Sequence, residues 1–107
     1  MPAIHISVRD ESGSRISLRV SILASGSSGN CTLIETSQTR LLVDAGLGKR
    51  ETLRRLTVNE QSTERLDGIV ISHEHSDHIG GLAALLAKWH ATVYLTSATH
   101  AETLRAL

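Results

Sequence analysis

The sequence predicts a mixed α/β domain of the α+β kind, and three observations carry that expectation. Closely spaced β-type segments fill the chain up to about residue 46, helix-period segments alternate with short apolar runs after it, and 107 residues leave room for one core. Apolar residues make up 40% of the chain, but Phe is absent and Trp89 and Tyr94 are the large aromatics, so Leu, Ile, Val and Ala must build that core.

Residues 1–17 read as an N-terminal extension, in which "IHISVRD" alternates weakly and "DESGS" is a polar turn cluster; it can form an edge strand or fray. The main domain is expected over residues 18–107. "LRVSILA" reads as a strand, "SGSSGN" as a glycine-bearing turn, "CTLIET" as a second strand, and "TRLLVDAG" as a third that ends at Asp44 and Gly46. "KRETLRRL" sets Leu53 and Leu56 three apart among charges, as in a short surface helix with one side on a sheet. Its Lys49, Arg50, Arg54 and Arg55 can grip phosphates, although such a charged run is usually a solvated face. "LDGIVIS" is a short buried strand leading to His73 and His75. Leu82, Leu85, Leu86 and Trp89 follow the i, i+3, i+4, i+7 spacing of one helix face and read as core. "ATVYLT" is another strand, and "THAETLRAL" starts a helix in which Thr99 and Glu102 have capping-box spacing.

Composition excludes several classes. Eleven basic and eleven acidic residues cancel, so the chain as a whole lacks the electrostatic footprint of a dedicated nucleic-acid or acidic-membrane binder. No apolar run approaches membrane-spanning length and the N-terminus lacks the features of a secretory signal, which makes a cytoplasmic location the expectation. Cys31 has no partner for an internal disulfide and reads as a small strand residue rather than a reactive or metal-bound thiol.

The chemistry concentrates in "ISHEHSDHIGG", residues 71–81. On an extended segment His73 and His75 point the same way and can share one ion, while Glu74 turns aside. Asp77 and His78 follow where the backbone turns, and can aim at a neighbouring position and a second ion. Gly80 and Gly81 let the chain turn tightly into the next helix. Imidazole and carboxylate donors suit Zn²⁺, with Mn²⁺ or Fe also compatible. His5, His90 and His100 are isolated and read as ordinary histidines.

"HEHSDH", set after an apolar strand and before a Gly-Gly-helix, resembles the H-x-H-x-D-H signature of the metallo-β-lactamase superfamily. "SILASGSSGNCTLIET" and "LLVDAGLGKRETLRRL" further resemble its YycJ/WalJ-like branch, bacterial proteins considered to act in DNA processing; the resemblance covers about Leu18 to Leu107. It implies the N-terminal half of a four-layer αββα sandwich, with an apolar sheet face lacking its facing sheet and open to self-association or to a second-half chain. It further implies that His73 and His75 hold a first zinc, that Asp77 and His78 hold a second, and that Asp44 supports the site by hydrogen-bonding a ligand ring or nearby backbone. Asp77 is the implied catalytic residue, orienting the attacking hydroxide.

Ser27, Ser28 and Asn30, in the loop that lies near the metals in this family, are candidate substrate contacts, although the same residues suit a plain hairpin turn. The implied activity of the complete protein is metal-dependent hydrolysis of nucleic-acid phosphodiesters. Two alternatives stand beside it: hydrolysis of a thioester, lactone or lactam, and a non-catalytic metal-binding or interaction module. In the family a third histidine for the first metal, a bridging aspartate and a final histidine come from sequence later than Leu107, so little activity is expected of this chain alone.

Overall fold

Strands cross the sheet in the same order in which they occur along the chain. The computed structural model describes residues 3–73 and 75–106. Its six-stranded sheet runs β1 (Ile4–Arg9), β2 (Arg15–Ala24), β3 (Cys31–Glu35), β4 (Arg40–Val43), β5 (Gly68–Val70) and β6 (Thr92–Tyr94). The first four strands form an antiparallel meander, because each link is a short turn; β4, β5 and β6 run parallel, because helical crossovers join them. Helix α1 (Lys49–Val58) lies in the first crossover, and the single turn α2 (Ser76–Ile79) followed by α3 (Leu82–Trp89) in the second; α4 (Ser97–Ala106) comes last.

Of the two alternatives for the first residues, the edge strand is the one formed, and β2 begins at Arg15, within the segment expected to be an extension. Ile4–Arg9 pairs with Arg15–Val20, and the "DESGS" turn is organised by Asp10, whose Oδ1 accepts hydrogen bonds from the Ser12 and Ser14 N–H groups (both 2.9 Å). "SGSSGN" is the hairpin loop between β2 and β3, as expected.

Strand alternation sorts the sheet into two unlike faces. On one, Leu33, Leu42 and Ile69 lie side by side through the β3–β4–β5 register, and all are fully buried. Leu56 of α1 and Leu82 and Leu85 of α3 complete this core, with Leu53, Leu86 and Trp89 packed at its margin, as the helical spacing predicted. Each such buried leucine contributes roughly 2 kcal/mol. On the other face Ile4, Val20, Ile34 and Leu41 lie in register, as do Ile22, Val43, Val70 and Tyr94. Among the described residues this second face carries no comparable cover: Ile4, Ile6, Val8 and Tyr94 are exposed.

Charged residues at the sheet margin are paired. The Arg40 side chain is buried yet fully engaged, with Nε on Glu35 (3.1 Å) and the guanidinium donating to the carbonyls of Arg65 and Ser62, so it ties the connector after α1 to β4. On α1, Arg54 and Arg55 both pair with Glu51, and Arg55 also donates to the Leu23 carbonyl (2.7 Å). Those two arginines thus work in the fold, while Lys49 and Arg50 stay exposed.

Helix α4 begins two residues before Thr99. Thr96 caps it, its Oγ1 accepting from the Thr99 N–H (3.2 Å), so the Thr99–Glu102 capping box gives way to a cap one turn earlier; the Glu102 side chain lies outside the described residues.

Candidate metal centre

Parallel strands gather the site at their carboxyl ends. Strand β4 ends at Val43 and delivers Asp44, and β5 ends at Val70 and delivers Ser72 and the histidine cluster. The sequence reading put His73 and His75 on an extended segment at the end of a strand running through Ser72. Instead β5 stops early: after the Ile71 N–H bonds the Tyr94 carbonyl (2.9 Å), the chain bends away at Ser72 toward Asp44. His73 and His75 still lie side by side, rings stacked with centroids 6.1 Å apart, and both are exposed; Glu74 between them lies outside the described residues.

Asp77 and His78 sit on the α2 turn, which the His78 and Ile79 N–H groups close onto the His75 carbonyl (2.9 and 3.1 Å). The turn is stitched to older parts of the chain. The Asn30 N–H donates to the Asp77 carbonyl (2.7 Å), the Ala45 N–H to that of His78 (2.6 Å), and the Gly81 N–H to that of Ala45 (2.7 Å). Backbones approach so closely that side chains are excluded: a Cβ on Gly46 would meet the Asp77 carbonyl oxygen at 1.9 Å, and one on Gly81 the Leu47 oxygen at 1.7 Å.

Asp44 is the hub. It is buried and adopts a left-handed backbone conformation (φ 65°), which Asp tolerates better than most residues. Its Oδ1 accepts from the Ser72 N–H (2.8 Å), and its Oδ2 meets both the Ser72 hydroxyl (2.7 Å) and His78 Nδ1 (2.7 Å). With Nδ1 committed to a carboxylate, His78 is left to present Nε2. That atom lies 3.4 Å from Asp77 Oδ2, too far for a good hydrogen bond. Two donors each about 2.0–2.1 Å from a tetrahedral zinc stand about 3.4 Å apart, so this pair fits one shared ion. The His73 ring lies 4.8 Å from that of His78. Among the described residues no three His, Cys, Asp or Glu side chains converge to enclose an ion by themselves.

Asn30 is bound into this framework more fully than its sequence context suggested. Its Nδ2 donates to Asp77 Oδ2 (3.1 Å) and to the Gly26 carbonyl (2.9 Å), while Oδ1 accepts from the Gly26 N–H (3.1 Å). Ser27 and Ser28 of the same loop are exposed. Cys31, next in sequence, is wholly buried; burial, reinforced by the Asp44 charge, pushes its thiol up to about 12. His5 and His100 are exposed and remote in sequence from the cluster, and His90 ends α3 in a left-handed conformation. Sequence reasoning did not single out Ser72. Its signal was only its place immediately before the first histidine.

The pattern of the metallo-beta-lactamase superfamily matches residues 24–106. The chain belongs to this superfamily. The exodeoxyribonuclease WalJ of Streptococcus pneumoniae serotype 2 (strain D39 / NCTC 7466) is 46% identical over 86 residues, covering 80% of this chain and 32% of that protein. The exodeoxyribonuclease YycJ of Bacillus anthracis is 43% identical over 82 residues, 77% of this chain and 31% of that protein. The present chain thus spans about a third of the length of the curated relatives it matches. Among solved structures, a HARLDQ-motif mutant of the Cronobacter sakazakii metallo-β-lactamase superposes with a TM-score of 0.69 at 26% identity, covering 84% of this chain and 34% of that one. No described helix is long and apolar enough to cross a membrane.

Proposed function

We propose that this chain supplies the first half of the metal site of a hydrolase that cleaves phosphodiester bonds in DNA. The observation that carries the reading is the Asp44–His78–Asp77 arrangement, in which a buried carboxylate orients one imidazole beside a second carboxylate at ligand spacing. In this reading Asp77 and His78 hold one ion, and His73 and His75 contribute to another, zinc being the ion their donor set suits first. When bound, such ions would lower the pKa of a coordinated water toward about 7 and offset charge on phosphate oxygens.

The protein's own residues do the rest. Asp44 fixes His78, Asn30 holds the Asp77 carboxylate, and Asp77 orients the attacking water. Ser27 and Ser28, exposed on the loop that Asn30 anchors, face outward where a phosphate backbone can be met. DNA is the substrate class because both relatives above are named exodeoxyribonucleases.

Zinc titration of the purified chain, monitored by metal analysis, tests the ligands: binding should fall in His75→Ala and His78→Ala, and stoichiometry unchanged by both would sink the assignment. Digestion of single-stranded and duplex DNA, RNA and a thioester tests the substrate. Slow, metal-dependent loss of DNA is expected, and turnover of the thioester alone would overturn the nuclease reading.

A second reading rests on the exposed apolar face. Ile4, Ile6, Val8 and Tyr94 suit self-association, or docking of a second-half chain. Sedimentation should then show concentration-dependent association that Ile6→Lys weakens.

A further inference from the structure

Ser72 is the residue at the centre that no reading of the motif accounts for, and its contacts admit one proton arrangement. The hydroxyl oxygen lies 2.7 Å from Asp44 Oδ2, 3.0 Å from His73 Nδ1 and 3.3 Å from His78 Nδ1. A serine has a single hydroxyl proton. Two oxygens 2.7 Å apart, one a carboxylate, need a proton between them, so that proton lies on the line from Ser72 to Asp44. The contact with His73 must then be supplied by the ring: His73 Nδ1–H donates to the Ser72 oxygen. His78 Nδ1–H, closer to Asp44 (2.7 Å) than to Ser72, donates directly to the carboxylate.

We infer that Ser72 is a positioning residue which relays the Asp44 carboxylate to His73, so that one buried carboxylate sets the tautomer of two histidines, His78 directly and His73 through the serine hydroxyl. Both rings then carry their proton on Nδ1 and offer the lone pair of Nε2. The arrangement is a stricter version of the familiar carboxylate–histidine pair, in which an outer partner fixes ring orientation and raises donor strength. It rests on the metal-site reading only for its purpose; the proton arrangement itself belongs to the metal-free protein.

Nitrogen-resolved NMR of the metal-free chain, at a pH where imidazoles are neutral, reads the tautomer directly. His73 and His78 should both show a protonated Nδ1 and an unprotonated Nε2. In Ser72→Ala the His73 signature should shift toward the other tautomer while that of His78 stays, and Ser72→Thr should restore it. Zinc affinity should fall about 10- to 100-fold in Ser72→Ala and recover in Ser72→Thr. An unprotonated His73 Nδ1 in the wild-type chain overturns the relay without need of any variant, which covers the case where Ser72→Ala does not fold. A His73 signature that ignores the alanine substitution overturns it equally. Failure of the wild-type chain to bind zinc, with the tautomers as stated, would overturn the metal reading and leave the relay standing.

Discussion

The two histidine-bearing halves of the motif are held very differently. Asp77 and His78 sit half-buried on a helical turn pinned by Asn30, Ala45 and Asp44, so their geometry is set by backbone and carboxylate contacts before any ligand arrives. His73 and His75 are exposed on a bend, and among the described residues the His73 side chain has the Ser72 hydroxyl and the neighbouring His75 and His78 rings beside it. A site in which one half is rigid and the other adaptable concentrates the cost of organisation in a few buried groups. Substitutions on the rigid half should therefore cost stability, and substitutions on the open half should cost function alone.

Asp44→Ala should have the largest effect, about 3 kcal/mol in urea unfolding, since it strips acceptors from Ser72 and His78 and places alanine at positive φ. Asp44→Gly, which relieves the backbone term, should recover part of that loss. Gly46→Ala comes next at about 2 kcal/mol, because its new methyl carbon meets the Asp77 carbonyl; a neutral result would mean that the Asp77–His78 turn is as adaptable as the His73–His75 bend. Asn30→Ala should cost about 1 kcal/mol and weaken zinc binding through Asp77. His75→Ala should leave thermal unfolding within about 0.5 kcal/mol of wild type while lowering zinc stoichiometry.

The last effect vanishes at neutral pH and is confined to alkaline solution. The Cys31 thiol stays neutral in the fold up to about 12, against an ordinary value near 9, so the unfolded chain ionises first and stability is lost as pH rises from about 9 toward 12. Alkylation by iodoacetamide should accordingly be negligible in the native chain at neutral pH, and Cys31→Ala should flatten the alkaline limb of the stability profile.

Much of this was legible in the sequence because periodicity reports burial. Leu82, Leu85, Leu86 and Trp89 went where their spacing placed them, and the strands from Leu18 to Val43 were found with ends shifted by a few residues. Local pattern served less well where tertiary contacts decide. Nothing in "IHISVRD" chooses between an edge strand and a frayed end; six pairs with β2 do. The β5 strand ended sooner than its apolar run because Asp44, just past the end of β4, captures Ser72. The bent backbone, the relay serine and the tethering Asn30 all depend on partners far along the chain, which no local spacing rule encodes.

Those separations carry a kinetic consequence. The hairpins of β1 to β4 close short loops, whereas Asp44 and Ser72 are 28 residues apart and Asn30 and Asp77 are 47 apart. Closing the longer loops requires the parallel strands to pair, a step with a larger entropic barrier. Zinc added to the denatured chain would meet only the neighbouring residues of the motif, and the ordered centre becomes available late in refolding. Tight metal capture should therefore lag behind strand formation in a stopped-flow experiment, and metal should slow unfolding far more than it speeds folding.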